Sequence, residues 1–252
     1  MTDLPHLEPD MALFLDFDGT LVELAARPQD VRVDPSLSDV LVSLQDLLGG
    51  AVAVVSGRPV EQIDAFLQPV RLPAAGLHGL EQRDAPGGKV LSSPPDNQIT
   101  RLAHHIAGSG LLERGVTLED KGPAIALHYR AVPELEAEVV DFMTRTLSLL
   151  PDLHMVHGKM VAEAKPKGRD KGTALRGFME REPFSGRRPV FIGDDVTDED
   201  GLSAANAGGG FGIKVGDGPT CARFRLANVT AVLEWLQAGR DALEDARPQQ
   251  ER

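Results

Sequence analysis

The sequence predicts an α/β protein: a doubly wound, Rossmann-like parallel sheet with a second, α+β unit inserted into it. Three observations carry this prediction. The segments Ala12–Phe17 and Ala51–Val55 are largely apolar without alternation and stop at turn-forming residues, as strands covered on both faces do. A stretch of helical periodicity lies between them, which is the β-α-β order of a parallel sheet. The middle of the chain abandons that order and writes helix, strand, strand twice, which implies an antiparallel sheet of its own.

The first strand, Ala12–Phe17, runs into Asp16-Phe17-Asp18-Gly19 and ends in its glycine turn. Asp34 and Pro35 supply an N-cap and a proline suited to the first helical position. Leu37, Val40, Leu41, Leu44, Leu47 and Leu48 recur at helical spacing behind them, and Gly49-Gly50 stops the helix. Ala51–Val55 is the second strand. After Ser56-Gly57-Arg58-Pro59 comes a short helix, Val60–Leu67, and a third strand ends near Leu77-His78-Gly79. Pro94-Pro95 marks the break into the inserted unit. That unit is expected to hold a helix over 97–114, strands over 116–121 and 124–130, a helix over 134–150, and strands over 153–157 and 160–165. The first pattern then returns, with a helix over 170–182, a strand over 189–192, a helix over 198–205 and a strand over 211–215. A last helix over 230–237 buries Val232, Leu233, Trp235 and Leu236. The expected domains are 1–96 with 166–252, and 97–165 inserted between them. The tail beyond Arg240, rich in Asp, Arg, Gln and Glu, is expected to fray.

At 252 residues, 42% hydrophobic and 25% charged, the chain is long enough to bury a core without a covalent staple. Its single cysteine, Cys221, excludes an internal disulfide and a Cys-rich zinc module and fits a reducing, cytoplasmic compartment. A net charge of −12 argues against nucleic acid or an anionic membrane as the partner. There is no run of 18 apolar residues to cross a membrane, and the acidic, proline-containing segment Met1–Asp10 does not read as a signal peptide. A small anionic substrate stays compatible with the net charge, because a local cation or lysine reverses the field at one site.

Asp16-Phe17-Asp18-Gly19-Thr20 is the sharpest chemical signal. Residues two apart in an extended segment point the same way, so Asp16 and Asp18 project together from a strand end, where parallel sheets bind ligands. Two carboxylates held side by side repel; a hard divalent cation relieves them, and oxygen donors favour magnesium. Read more plainly, the same residues are an Asp-Gly turn. A second acidic run, Gly193-Asp194-Asp195-Val196-Thr197-Asp198-Glu199-Asp200, follows the strand ending at Ile192. Capping by Asp198 and a favourable dipole for Glu199 and Asp200 account for part of it. They do not account for Asp194-Asp195 directly after Gly193. Two acid clusters on equivalent strand ends point to one shared cation. Ser56-Gly57-Arg58 offers a hydroxyl and N–H groups at a helix start, which makes an anion site or else a generic turn. Lys171 opens the helix expected over 170–182, where its charge opposes the dipole. The acid cluster and a phosphate would give it partners; solvation at the surface is the alternative.

The order Asp-x-Asp-Gly-Thr, then Ser56, then Lys171, then Gly193-Asp194-Asp195, on successive strand ends, resembles the haloacid dehalogenase-like (HAD) phosphatase superfamily. The inserted unit resembles the larger cap type that follows the third strand of that core. Leu77-His78-Gly79, His128-Tyr129-Arg130, His157-Gly158-Lys159 with Glu163, and the run from Gly193 to Glu199 are similar, within that superfamily, to the trehalose-6-phosphate phosphatases, over residues 12–237. The resemblance implies hydrolysis of trehalose 6-phosphate to trehalose and phosphate through an aspartyl-phosphate, dependent on Mg2+. It implies Asp16 as nucleophile and Asp18 as general acid–base. Mg2+ would be held by the Asp16 carboxylate, the Asp18 main-chain oxygen and Asp194, with Asp195 or Asp198 orienting that shell. Ser56 and Lys171 would hold phosphate oxygens with help from Thr20, and Gly57, Arg58, His78 and Gly79 would line the substrate site. The competing readings are another phosphosugar substrate (a sucrose phosphate or a mannosyl-phosphoglycerate), a phosphomutase, and a non-catalytic sugar-phosphate sensor. Intact Asp16, Asp18, Lys171 and Asp194 argue against the last. Charge supports the chemistry independently: an anionic nucleophile must approach an anionic phosphate, so a cation and an ammonium have to cancel the repulsion.

In the inserted unit, Thr117, Glu119 and Lys121 share one strand face, His128 and Arg130 share a face of the next strand, and Lys159 and Glu163 share a face of the last. One sheet face is therefore polar, and the other is expected to pack on the two helices. The polar face reads as a lid that grips sugar hydroxyls, or as a solvated face laced with cross-strand ion pairs. Other features read as structure: Trp235 and Cys221 as buried packing, His104-His105 as helix surface, and Gly208-Gly209-Gly210 as a turn into Phe211.

Overall fold

Residues 4–25, 30–94, 97–158 and 160–247 are described by the computed structural model. They form two compact units, residues 1–91 with 170–252, and residues 92–169. The second unit thus reaches a few residues beyond 97–165 at each end.

Five strands precede the inserted helices: β1 (Met11–Leu15), β2 (Val52–Val55), β3 (Ala74–Gly76), β4 (Glu81–Arg83) and β5 (Leu91–Ser92). The second unit holds β6 (Thr117–Asp120), β7 (Ile125–His128), β8 (Leu153–Gly158) and β9 (Val161–Pro166), and β10 (Arg188–Gly193), β11 (Phe211–Val215) and β12 (Phe224–Leu226) follow. The larger sheet runs β12-β11-β10-β1-β2-β3-β4-β5. Its strands from β12 to β3 are parallel, and β4 is antiparallel to β3. β1 lies at the point where the strand order reverses: Leu15 pairs with Ile192 on one side and Val54 on the other. Every residue of β1 and β2 is buried, which is why their sequences show no alternation.

Helices cover both faces. On one, α1 (Pro35–Leu47), α2 (Val60–Leu67) and α7 (Val229–Ala246) bury Leu41, Ile63 and Leu236 against Leu13, Leu15 and Ile192. On the other, α5 (Lys171–Met179) and α6 (Glu199–Ala207) bring Phe178 and Leu202 against Phe14 and Val55. Asp34 caps α1 by accepting the Ser36 N–H at 2.8 Å. In the second unit, the antiparallel sheet β6-β7-β9-β8 packs Ile125, Leu127 and Ala162 on α3 (Asn97–Ala107) and α4 (Glu136–Leu147). Trp235 is buried, with its indole N–H on the Pro5 carbonyl, and His104 and His105 are exposed.

Three expectations need correction. The tail does not fray at Arg240: α7 continues to Ala246 because Leu243 is buried, Gly239 packs directly on Leu7, and Arg247 pairs with Asp46. The helix expected over 97–114 stops at Ala107, since Gly108 and Gly110 interrupt it before a short turn at Leu112–Arg114. Cys221 is exposed rather than buried. No described helix is long and apolar enough to cross a membrane.

Candidate active site

The C-terminal ends of β1 and β10, neighbours at the reversal of strand order, each deliver a carboxylate. Asp16 follows β1 and stays in the ladder through its N–H on Ile192 O at 2.9 Å. Asp194 follows β10. Carboxylate oxygens of Asp16, Asp194 and Asp198 lie within 4.8 Å of one another. Two glycines make this approach possible. Gly19 has φ +76°, and a Cβ there would overlap the Asp194 carboxylate; a Cβ on Gly193 would overlap that of Asp198. Asp198 folds back over the loop, so that its Oδ2 accepts the N–H groups of Asp194 (3.0 Å) and Asp195 (2.9 Å). Lys171 enters from the first position of α5, which a reciprocal Asp170–Thr173 capping box starts. Its Nζ donates to Asp16 Oδ1 and to Asp198 Oδ1, both at 2.6 Å. The partners that its unfavourable place on the helix dipole required are therefore carboxylates, and Lys171 is buried.

The electrostatics follow from burial. Burial pushes the Asp16 carboxyl well above the usual carboxylate range; Asp198 adds to this and Lys171 opposes it. Asp194 is pushed up to about 6, by burial first and then by Asp198 and Asp195. Burial works against the Lys171 ammonium, but Asp16 and Asp198 outweigh it and hold the group above its usual range. Three carboxylates thus meet, with Lys171 in direct contact with two of them and the Lys214 charge acting on Asp194 from behind, which leaves the cluster negative. A divalent cation would balance the remaining negative charge, and the all-oxygen donor set suits a hard one. The residues present fit such an ion.

The expected roles of the remaining core residues sort differently. Asp18 does not lie beside Asp16 in the cluster: its carboxylate takes both arms of Arg58, Nε to Oδ2 and Nη2 to Oδ1, each at 2.6 Å. The Arg58 guanidinium rests on Phe66 and Phe17, 5.1 and 5.7 Å from the ring centroids. Asp195 is exposed and caps the turn after β10 by accepting the Val196 N–H, so of the two residues expected to orient the cluster only Asp198 does so. Thr20 is buried and its Oγ1 has no hydrogen-bond partner. Ser56 is buried, and its Oγ accepts the Arg58 N–H at 3.1 Å. His78, at φ +55°, donates its N–H to Ser56 O, and its ring lies so close over Gly57 that a Cβ there would sit 2.8 Å from Nε2. Gly79, at φ +90°, faces the Asp170 carbonyl at the start of α5. Ser56, Gly57, His78, Gly79 and Lys171 are thus joined through adjacent loops.

In the second unit, the pairing Glu119↔Ala126↔Glu163 puts the two glutamates in one row of one sheet face. Lys121 Nζ donates to Glu163 Oε2 at 2.5 Å and lies 4.0 Å from Glu119, and His128 Nε2 meets Glu119 Oε2 at 2.8 Å. The His128 contact holds the Glu119 carboxyl below its usual range, against burial. Glu163 is buried, and its Oε1 has no hydrogen-bond partner. Arg130 does not share the His128 strand face: β7 ends at His128, and Arg130 is exposed in the turn that follows. Lys159 lies outside the described residues. Lys165 and His154, paired across β9 and β8, belong to the same face as Glu163, and carrying the alternation one step past Glu163 would have found Lys165. Lys214 was also missed, although a lysine inside the otherwise apolar Phe211–Val215 strand is a signal in itself.

A family model described as trehalose-phosphatase matches residues 14–229. The trehalose-6-phosphate phosphatase of Escherichia coli K12 is 39% identical over 247 residues, spanning 98% of this chain and 93% of that protein. The C-terminal domain of Candida albicans trehalose-6-phosphate phosphatase superposes with a TM-score of 0.78 at 20% identity over 93% of each chain. A Bacteroides thetaiotaomicron phosphatase of the HAD superfamily superposes at 0.61 and 18% identity over 96% of this chain and 99% of its own. With this fold and this match, the chain belongs to the trehalose-phosphatase family, phosphoric monoester hydrolases built on the HAD fold.

Proposed function

We propose that this chain is a Mg2+-dependent phosphatase that hydrolyses trehalose 6-phosphate to trehalose and phosphate. One observation carries the reading: a buried carboxylate, Asp16, is held by an ammonium and faces Asp194 from the neighbouring strand end, in a chain of this family. The Asp16 carboxylate attacks phosphorus, the bond from phosphorus to the sugar oxygen breaks, and Asp18 gives that oxygen a proton. Asp18 then takes a proton from water, whose oxygen attacks the aspartyl-phosphate and releases phosphate and free Asp16. Asp16, the Asp18 main-chain oxygen and Asp194 would hold Mg2+, which supplies charge neutralisation for the phosphoryl group.

The other groups position and neutralise. Lys171, already on Asp16, offers its ammonium to the phosphate, and Asp198 holds Lys171 and the Asp194 loop in place. Thr20, with an unpartnered hydroxyl, and Ser56 donate to phosphate oxygens. Gly57, His78 and Gly79 shape the loop beside them. Arg58 acts on Asp18 rather than on substrate. The polar face of the second unit binds the sugar, with Glu163, Lys121 and His128 supplying both acceptors and donors for hydroxyls; Lys159 belongs to the same reading, and Arg130 would reach the sugar from the turn after β7 rather than from that face. A cytoplasmic location goes with the single free thiol.

Phosphate release from trehalose 6-phosphate, sucrose 6-phosphate and glucose 6-phosphate, each with and without magnesium, tests this. The expected result is release from trehalose 6-phosphate well above the others, and only with magnesium. Faster release from another sugar phosphate would reassign the substrate, and phosphate transfer to a second sugar hydroxyl would make the chain a mutase.

A further inference from the structure

Lys214 is a buried charge that the reaction above does not use. It is the fourth residue of β11, a strand whose five residues are all buried, and it lies in register beside Gly193 at the end of β10. The residue is 5% exposed. Its ammonium donates to two main-chain carbonyls, those of Asp194 and Val215. Burying an ammonium is costly unless hydrogen bonds and nearby opposite charge offset it, and here the two carbonyls and the Asp194 and Glu199 carboxylates are what it meets. Packing therefore does not select lysine at this position, and neither does strand propensity.

What the ammonium reaches is the peptide that leads out of β10 into the acidic run. Asp194 is gripped on both sides: its own N–H and that of Asp195 go to Asp198 Oδ2, and its C=O goes to Lys214. Between these fixed points its carboxylate lies against Gly19, within 4.8 Å of oxygens of Asp16 and Asp198. The Lys214 charge also acts on Glu199. Burial presses that carboxyl upward, but the Cys221 and Thr220 hydrogen bonds together with Lys214 leave it below its usual range.

We propose that Lys214 is a positioning residue for the divalent-cation site: by holding the Asp194 carbonyl it fixes the peptide from which the Asp194 carboxylate faces Asp16. This rests on the reading of Asp194 as a metal ligand. Residues one step behind a ligand commonly change metal affinity by roughly 10- to 100-fold when removed.

Titration calorimetry of the full chain with magnesium chloride, without substrate, tests it. Wild type is expected to bind and Asp194→Asn to bind far more weakly. Lys214→Met, which keeps the length and loses the donors, is expected to weaken magnesium binding roughly 10- to 100-fold. Lys214→Gln, which keeps amide N–H donors but not the charge, is expected to lose less than the methionine variant while still binding magnesium more weakly than wild type. Turnover of the methionine variant should fall at low magnesium and recover as magnesium is raised, with KM for the sugar phosphate little changed. A merely structural lysine would lower the melting temperature and leave the magnesium affinity of the folded protein alone. Should the methionine variant show no cooperative melt, the glutamine variant decides. Wild-type affinity in the folded variants overturns the proposal, whereas no magnesium binding by wild type overturns the metal reading and the inference with it.

Discussion

Asp16 and Asp18 are two residues apart and keep different company. Asp16 is buried against Lys171, while Asp18 is about a third exposed and held bidentately by Arg58. Burial works against the charged form of Asp16 and Lys171 opposes that push, while the exposure of Asp18 suits an acid–base group that must meet water and the leaving oxygen. Asp18→Asn is expected to slow turnover ~10²–10⁴-fold while leaving the Asp16–Lys171 pair intact; steady-state rates check it, and wild-type rates would contradict the role. In the second unit, Glu163→Gln is expected to lose ~1.5–3 kcal/mol in kcat/KM for trehalose 6-phosphate, through charge-assisted hydrogen bonds. Hydrolysis of p-nitrophenyl phosphate, which has no sugar to grip, should barely change; equal loss on both would make Glu163 a support of the fold. Asp16 and the Asp194–Asp198 run were legible because strand ends of a parallel sheet lie side by side; extended geometry misplaced Asp18, which turns away to Arg58. The partners of Asp18 and Glu163 were not, since Arg58 and Lys121 lie 40 and 42 residues away in sequence. Arg58 read as a substrate contact for that reason.

Elements were legible where burial imposed a period. The short helix expected over Val60–Leu67 has those limits in the structure, and the strand expected over Phe211–Val215 does too. β4 was not legible: Glu81-Gln82-Arg83 carries no strand pattern. It is held by a buried Arg83 that pairs with Asp64 and donates twice to Leu72 O, contacts that no local pattern encodes. The end of α7 was missed for a related reason. Its polar composition suggested fraying, but one apolar position, Leu243, reaches the core. Leu243→Ala is expected to cost ~2–5 kcal/mol, and a chain cut after Arg240 at least as much, read as a lower urea midpoint at constant slope. A truncated chain as stable as the full one would mean that the last turns do not pack.

At the scale of the molecule, a chain of net charge −12 is assigned an anionic substrate. The local field at the two strand ends must therefore be reversed by a cation and Lys171 rather than by the overall charge. Exhaustive chelation should therefore abolish phosphate release and magnesium restore it; full activity without divalent metal would contradict the cation. The parallel core was legible through β1, β2, β10 and β11, which are buried nearly throughout, but not through β12, a half-exposed edge strand; the inserted unit was legible because its rhythm differs. In the proposed reaction Asp16 carries the phosphoryl group between sugar and water. Acid-quenching the enzyme during turnover of phosphate-labelled trehalose 6-phosphate, then mapping the labelled peptide, tests it most directly. Acid-stable label is expected on the peptide containing Asp16 and is expected to be lost in Asp16→Asn. Label on another residue, or label retained in Asp16→Asn, would contradict it.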